Sequence, residues 1–408
     1  MMKQSIVYLL EVFLLLAHHT EAKIVGALVL PHGEDAFAPE LVDFAAGSRE
    51  LESAAKSVSS AIVESEKPDV IFLTTPHGLE LTDNFLVYQN SHLSGTAVLQ
   101  NPMFPQKETK SVSLEARTDV SLANNLVEIL GRGVTKPSLE AKENGENAEA
   151  TQKSKYALQG LLGFADSSPL PLDWGEIIPF SFLSGTAGSP QSDSEAKSDS
   201  GKLNTQSLPA VVVASIPTFR YNHSVEMIPE LLELGGDIGD VLERSDRKVL
   251  WVVSADLAHT HLAEGPYGFC ECAEPFDKAV EAWAASLEPC ASSESDTECV
   301  ENAKMSRDLL LVEAAKLQQA GAASCGFTGL VMLQGMLDHL TTRMPLEREQ
   351  KKSGEGSSLC EAVSEWDSRV LANFHPTYFG MMVAQFKRSE SWVHCRQAHR
   401  ESEILARE

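Results

Sequence analysis

Residues 249–261 read VLWVVSADLAHTH, and this stretch decides the fold that we predict. The apolar run from Val249 to Val253 is continuous rather than alternating, which is typical of a strand covered on both faces in a sheet between helices. It leads into a loop that holds Asp256, His259 and His261. The change from buried-type strand to polar loop indicates a functional site at the end of this strand.

Two other apolar runs end in the same way. Residues 23–31 (KIVGALVLP) precede His32, and residues 70–76 (VIFLTTP) precede His77. An amphipathic helix over Ser48 to Glu66 separates the two runs, so this part of the chain predicts a strand–helix–strand unit with both histidines at one sheet edge. Ligands of open α/β sheets gather at that edge. We therefore predict that the imidazoles of His32, His77 and His259 converge.

The rest of the pattern fits one α/β domain over residues 23–390, with a mixed, mostly parallel central sheet and helices on both faces. Further strands are predicted at Phe85 to Tyr88, Ala97 to Leu99, Pro209 to Ile216 and Tyr378 to Phe386. Further helices are predicted at Asp119 to Gly131, Val225 to Leu234, Pro275 to Leu287, Met305 to Gln319 and Phe327 to Leu340. The segment Asp173-Trp174-Gly175 is predicted as a polar turn before another apolar strand.

Composition restricts the remaining segments and the partners. The 408 residues carry a formal net charge of -25, which disfavours binding to nucleic acids and to anionic membrane surfaces. Residues 1–22 have the layout of a secretory signal, although Glu11 interrupts the apolar segment, and no other stretch is predicted to span a membrane. Residues 136–155, 185–206 and 347–358 are predicted as disordered insertions, and 391–408 as a tail.

Seven cysteines leave the compartment open between a secretory lumen and the cytoplasm. Cys270, Cys272, Cys290 and Cys299 lie close enough in sequence to form two disulfides, but reduced thiols fit the spacing equally well. The oligomeric state is also open, and a homodimer is one option.

The two histidines that follow the first strands lie in identical Pro-His-Gly strings. Neutral imidazole is the commonest side-chain ligand of first-row metals. Proline stiffens the chain before the histidine, and glycine is predicted to allow a sharp turn after it. The alternative is that His32 and His77 only cap strand ends. Two identical strings on adjacent strands favour metal binding.

Six strings together resemble the class III extradiol ring-cleavage dioxygenases, catalytic-subunit type, a family that includes the Memo-like proteins. The strings are LPHG, TTPHG, PLDWGEIIPFSFL, SADLAHTHLAEGPYG, CGFTGLVMLQGML and PTYFGMMVAQF, and they run from about residue 23 to 386. The resemblance implies a non-haem Fe(II), with zinc or copper as alternatives, held by His32 and His77. It also implies that His259 transfers protons and that Asp256 orients it or lies behind the metal ligands, unless Asp256 only caps a turn.

The third metal ligand is where the chain departs from the family. Many relatives have a carboxylate before a Cys-Gly pair, and this chain has Ser324-Cys325-Gly326. Cys325 as a thiolate, Ser324, a carboxylate from Asp277 or Glu274, or water can fill the position; otherwise Cys325 is a small buried apolar residue.

The function that the resemblance implies is ring opening of a catechol-type substrate with O2. The alternative is a Memo-like metal-binding or interaction protein that does not cleave rings. Three aromatic residues, Trp174, Tyr267 and Tyr378, are candidate pocket walls, although ordinary core packing is the preferred interpretation for each. His261 is predicted to be a solvent-exposed loop residue.

Overall fold

The computed structural model describes residues 23–104, 109–131, 156–163, 165, 168–184, 208–287, 304–349 and 366–389, without the side chains of 342–349. The strands there are β1 (Ile24–Leu30), β2 (Val70–Thr75), β3 (Phe85–Tyr88), β4 (His92–Gln100), β5 (Thr109–Arg117), β6 (Leu158–Leu161), β7 (Leu170–Pro171), β8 (Ala210–Ser215), β9 (Val249–Ser254), β10 (Trp366–Phe374) and β11 (Met381–Arg388). The longer helices are α1 (Ser48–Glu66), α2 (Val120–Leu130), α3 (Trp174–Leu183), α4 (Ile228–Glu243), α5 (Ala273–Ala285) and α6 (Phe327–Glu349). Residues 304–322 are also helical, with wider π-type turns over Leu309–Ala314 and Gln318–Ala322.

The main sheet has eight strands in the order β10-β11-β1-β9-β2-β8-β3-β6, and a smaller sheet has the order β5-β4-β7. Strand β9 lies between β1 and β2 and runs parallel to both, with Leu30 opposite Ser254. The antiparallel pairs of the main sheet are β10 with β11, β11 with β1, and β3 with β8. The predicted class, α/β with a mixed and mostly parallel sheet, is confirmed, and the three histidine-bearing loops leave the same edge.

Successive residues of each central strand belong alternately to two apolar clusters, which is why the whole strand is buried. One cluster contains Ala27, Phe72 and Trp251 together with residues of α2, α4, α5 and α6. The other contains Leu28, Leu73 and Val252 together with residues of α1 and α3. Every residue of β1, β2 and β9 is buried. These strands are therefore rigid supports for the loops that follow them.

The predicted strand after Asp173-Trp174-Gly175 is wrong, because residues 174–183 form helix α3. Asp173 caps the helix, accepting a hydrogen bond from the Trp174 amide at 2.8 Å, and Glu176 accepts a hydrogen bond from the Asp173 amide at 2.9 Å. Nearly all of the helix is buried, so its apolar residues show no amphipathic period. The Asp-x-x-Glu capping box was the signal in the sequence.

Other boundaries differ from prediction or lie outside the described residues. Helix α6 extends through residues 347–349, which were predicted to begin an insertion. The predicted leader, the other insertions and the tail lie outside the described part of the chain, as do Cys290 and Cys299. Cys270 and Cys272 are joined directly to each other, a pairing that was not predicted. None of the described helices has the length and apolar character of a membrane span.

Candidate metal centre

Two histidines and a cysteine meet at the carboxyl edge of the sheet. One ligand atom each from His32, His77 and Cys325 lies within 4.8 Å of the other two. The Sγ atom of Cys325 is 3.3 Å from Nε2 of His32, and the rings of His32 and His77 meet edge to face at 4.9 Å between centroids. Two of the histidines predicted to converge therefore lie together, and the thiol of Cys325, just before α6, lies beside them.

The orientation of His32 follows from the hydroxyl of Ser254. Ser254 Oγ donates its hydrogen to the Gly175 carbonyl at 2.6 Å and lies 2.8 Å from Nδ1 of His32. Because a hydroxyl has one hydrogen, Ser254 must accept a hydrogen bond from Nδ1–H of the neutral imidazole. The lone pair of His32 is then on Nε2, directed towards Cys325. Such support of the distal ring nitrogen is usual for metal-binding histidines.

The carbonyl that anchors Ser254 is available because of a proline in α3. In a regular helix the Gly175 carbonyl accepts the amide hydrogen of residue 179, but Pro179 has none. Two strand-end hydroxyls bond to this carbonyl instead, Ser254 at 2.6 Å and Thr75 at 3.2 Å. The start of α3 therefore ties the ends of β2 and β9 together beneath the cluster.

Asp256 fixes the first Pro-His-Gly loop. Its Oδ1 accepts hydrogen bonds from the amides of His32 at 3.1 Å and Gly33 at 3.3 Å, and its Oδ2 is 3.4 Å from Nε2 of His32. Among the described residues no hydrogen bond joins Asp256 to His259, so the expected role of orienting His259 is not what the geometry shows. Asp256 instead positions the loop that carries His32. Burial raises the pKa of its carboxyl well above the usual range.

The glycines of the two Pro-His-Gly strings are required by close packing. A Cβ atom on Gly33 would overlap the ring of Phe379, and one on Gly78 would lie 2.5 Å from both Tyr88 Oη and Glu176 Oε1. Neither glycine has a positive φ. The predicted sharp turn after the histidine is therefore not the reason for glycine here; the neighbouring side chains leave no room for another residue.

His259 lies on the wall of the cavity that opens above the cluster. Its ring stacks on Phe379, with 5.7 Å between centroids, and meets Tyr267 edge to face at 5.7 Å. Its backbone amide donates to the Ala322 carbonyl at 2.8 Å, and Nδ1 is buried without a hydrogen-bond partner among the described residues. His259 is thus held by its ring faces and by its backbone amide.

The imidazoles of the site are neutral at ordinary pH. Burial lowers the pKa of His77 to about 3 and of His259 to about 4, and it lowers the pKa of His32 well below its usual value. Burial also raises the pKa of the Cys325 thiol. Neutral imidazoles can bind a metal without losing a proton, whereas the thiol must be deprotonated on binding.

Arg220 is a site residue that the sequence analysis missed. Its side chain is buried, and its guanidinium donates to the carbonyls of Pro76 and Pro217 and to Glu80, the last at 2.9 Å. These bonds hold the loop that carries His77. The signal in the sequence was weak, because Arg220 is far from His77 along the chain and only the fold shows that they are neighbours.

The remaining candidate ligands lie elsewhere. The Ser324 hydroxyl donates to the Asp256 carbonyl at 2.9 Å, and Asp277 binds the Ala258 amide and His261. Glu274 is an exposed residue that pairs with Lys278. Among the proposed alternatives, only Cys325 therefore lies with the two histidines. The expectation that His261 is exposed is wrong, since it is 7% exposed and pairs with Asp277.

The cavity above the cluster has a volume of about 640 Å³. Trp174, Tyr267 and Tyr378 line it. The core-packing interpretation is wrong for Trp174 and Tyr267, which are 40% and 62% exposed, whereas Tyr378 lines the cavity and also packs against an apolar cluster. Trp174 lies against His77, with 5.2 Å between ring centroids. The cavity is large enough for a small aromatic molecule.

No protein-family model matches the chain, and no curated protein matches it either. The fold and the site define an α/β protein with a cluster of two histidines and one cysteine below an aromatic-walled cavity. The family resemblance of the six sequence strings stays a prediction.

Proposed function

We propose that the protein is a metal-dependent oxidoreductase of extradiol type, which opens a catechol-type ring with O2. The observation that carries the proposal is the convergence of His32, His77 and Cys325 at the floor of a cavity whose wall holds His259. Two imidazoles and a thiol suit a first-row transition metal, and Ser254 already sets the His32 tautomer that such an ion requires.

The residues of the chain have separate roles in this proposal. His32, His77 and Cys325 hold the metal, which supplies the electron transfer to O2 that side chains cannot perform. His259, which lines the cavity and is kept neutral by burial, accepts a phenolic proton of the substrate and later returns it to the product. Trp174, Tyr267 and Tyr378 enclose the aromatic ring and limit its contact with water.

The second candidate function is a Memo-like metal-binding protein that does not cleave rings. The observation that favours it is the thiol of Cys325 in place of a carboxylate, since thiolates select Cu(I) or Zn²⁺ and the two-histidine, one-carboxylate set is typical of Fe(II) oxygenases. Both proposals use the same ligands. They differ in the metal and in whether His259 has a chemical task.

We also infer that helices cover both faces of the main sheet. The assignment of α1 and α3 to one apolar cluster, and of α2, α4, α5 and α6 to the other, supports this.

The test combines metal analysis with turnover. Protein loaded anaerobically with Fe(II) is mixed with catechol, caffeate or dihydroxyphenylalanine, and oxygen uptake and ring-opened product are measured. His77→Ala should lose the metal. His259→Gln should retain it and lose about 10²- to 10⁴-fold in turnover, the usual contribution of a proton-transfer group. His92→Ala, which replaces an exposed residue of β4, is the control and should match the wild type.

The outcomes separate the two candidates. Turnover that depends on His259 supports the oxidoreductase. Retention of copper or zinc at His77 and Cys325, with no oxygen uptake for any of the three diols, supports the Memo-like alternative. Full activity of His259→Gln would contradict the assigned proton transfer.

A further inference from the structure

A second group of metal-ligating side chains lies outside the cavity. His261, Glu274 and His375 each place one ligand atom within 4.8 Å of the other two. They come from the loop after β9, the first turn of α5, and the loop between β10 and β11. The side chains of Glu274 and His375 are about half exposed, so solvent ions have access.

His261, the buried member of the group, has a carboxylate behind its ring, as metal-bound imidazoles usually have. His261 Nε2 lies 2.8 Å from Oδ2 of Asp277, and both side chains are buried. Asp277 is itself fixed, because its Oδ1 accepts a hydrogen bond from the Ala258 amide at 3.0 Å. A carboxylate behind the imidazole sets the tautomer and leaves the other ring nitrogen free to bind an ion. This buried pair is the observation beyond simple proximity that points to a ligand.

The exposed members are close but are not yet arranged for coordination. His375 Nε2 is 3.4 Å from Glu274 Oε2, and the rings of His261 and His375 stack with 4.0 Å between centroids. In parallel stacked rings the nitrogen lone pairs lie in parallel planes, so His375 must rotate for both imidazoles to bind one ion. Exposed side chains change rotamer readily, and the rotation therefore meets little resistance.

We propose that His261, Glu274 and His375 bind one divalent transition-metal ion of the Zn²⁺ class, separate from the centre at His32, His77 and Cys325. Two imidazoles and one carboxylate form a common three-ligand set for zinc, with water in the fourth position. The proposal does not depend on the oxidoreductase function, because none of its three ligands lines the cavity.

An ion at this second site joins the two segments that form one wall of the cavity. His261 donates its amide hydrogen to the Tyr378 carbonyl at 3.0 Å, and Leu257 donates to the Gly380 carbonyl at 2.6 Å. The same segments carry His259 and the aromatic ring of Tyr378. Metal binding at the second site therefore stabilises the wall that faces the first.

Cobalt(II) distinguishes the two sites, because only the first has a thiolate that gives a sulfur-to-metal charge-transfer band. The metal-free full-length protein is titrated with Co²⁺ in a buffer without imidazole. The wild type should bind two equivalents. The double variant Glu274→Gln/His375→Ala should lose one equivalent and keep the charge-transfer band, while Cys325→Ser should lose the band and keep one equivalent.

The control is His223→Ala, which removes a surface histidine paired with Glu226 at 2.7 Å but with no third ligand nearby in the described structure. It should bind as the wild type does. Two equivalents in the double variant would overturn the second site, as would a wild type that binds a single equivalent with a charge-transfer band. In that case His261–Asp277 and His375–Glu274 are hydrogen-bonded pairs only. Neither result depends on turnover, so it is separate from the test of the oxidoreductase.

Discussion

At the scale of single residues, the hydrogen-bond direction at Ser254 decides what His32 can do. The serine hydroxyl has one hydrogen, and the Gly175 carbonyl accepts it. The imidazole must then donate from Nδ1, so Nε2 is the nitrogen available to a metal. A side chain that does not touch the metal thus selects the ligand atom.

Replacing this serine tests the argument. Ser254→Ala should lower metal affinity about 10- to 100-fold, the usual effect of removing a hydrogen-bond partner behind a ligating histidine. Competition with a chelator measures the affinity. Ser215→Ala is the control: it removes a buried hydroxyl at the end of β8, two strands from β9, and that hydroxyl has no hydrogen-bond partner among the described residues. Equal affinities for the two variants would show that Ser254 does not hold His32.

At the scale of elements, helix α3 shows why local pattern and final structure can differ. Its residues are apolar on all sides, which resembles a buried strand, and Pro179 argues against a helix interior. The Asp173–Glu176 capping box and tertiary burial outweigh these signals. The missing amide of Pro179 then leaves the Gly175 carbonyl to the hydroxyls below the metal centre.

The contact between α4 and α6 gives a prediction at the same scale. A Cβ atom on Gly235 would overlap the Met332 carbonyl, so the two helix backbones are in contact. Gly235→Ala should lower the free energy of unfolding by about 1–3 kcal/mol, as overpacking usually does. Urea denaturation measures the change.

The adjacent glycine is a matched control. A Cβ atom on Gly236 would meet only the side chain of His339, whose own Cβ lies 3.1 Å away, so a shift of a few tenths of an ångström is needed. Gly236→Ala should lower the free energy of unfolding less than Gly235→Ala does, because the new Cβ meets a side chain at 3.1 Å and not a backbone carbonyl. Equal losses in the two variants would contradict backbone contact as the cause.

At the scale of the whole molecule, buried titratable groups set how stability depends on pH. Burial raises the pKa of Asp35 to about 7 and of Glu176 to about 8, so the folded state holds protons that the unfolded chain releases near pH 4. Proton binding by these two carboxyl groups stabilises the folded state relative to the unfolded chain at low pH. This stabilisation is lost as pH rises through the two raised pKa values. The lowered pKa values of His77 and His259 act oppositely, because stability is lost as pH falls below about 6.5.

Below about pH 6.5 the carboxyl and the histidine contributions to stability change in opposite directions with pH, and above it only the carboxyl contribution still changes. The metal-free protein should therefore unfold at a lower urea concentration at pH 8 than at pH 6.5. Asp35→Asn, which keeps the geometry of the bond from Thr377, should reduce this difference. Glu264→Gln, on the exposed loop after β9, should leave it unchanged. A wild type equally stable at both pH values would contradict the prediction.

Much of the site was predictable because it follows from strand ends. The runs before His32, His77 and His259 identify buried strands, and parallel strands bring their carboxyl ends to one edge. Asp256 was predicted as a site residue, and of its expected roles the geometry agrees with support of the loop that carries His32 rather than with orientation of His259. Arg220 and Ser254 were missed as supports because their roles depend on neighbours distant in sequence.

The sequence by itself determined the sheet class, the order of its histidine-bearing loops and the candidate ligands, because each is encoded by apolar runs and adjacent polar residues. Only the tertiary structure decided that Cys325 rather than Asp277 lies beside the histidines and that Asp277 supports His261. It also decided which nitrogen of His32 is free. These outcomes depend on distances and hydrogen-bond directions between segments far apart in the chain, which residue type and spacing do not specify.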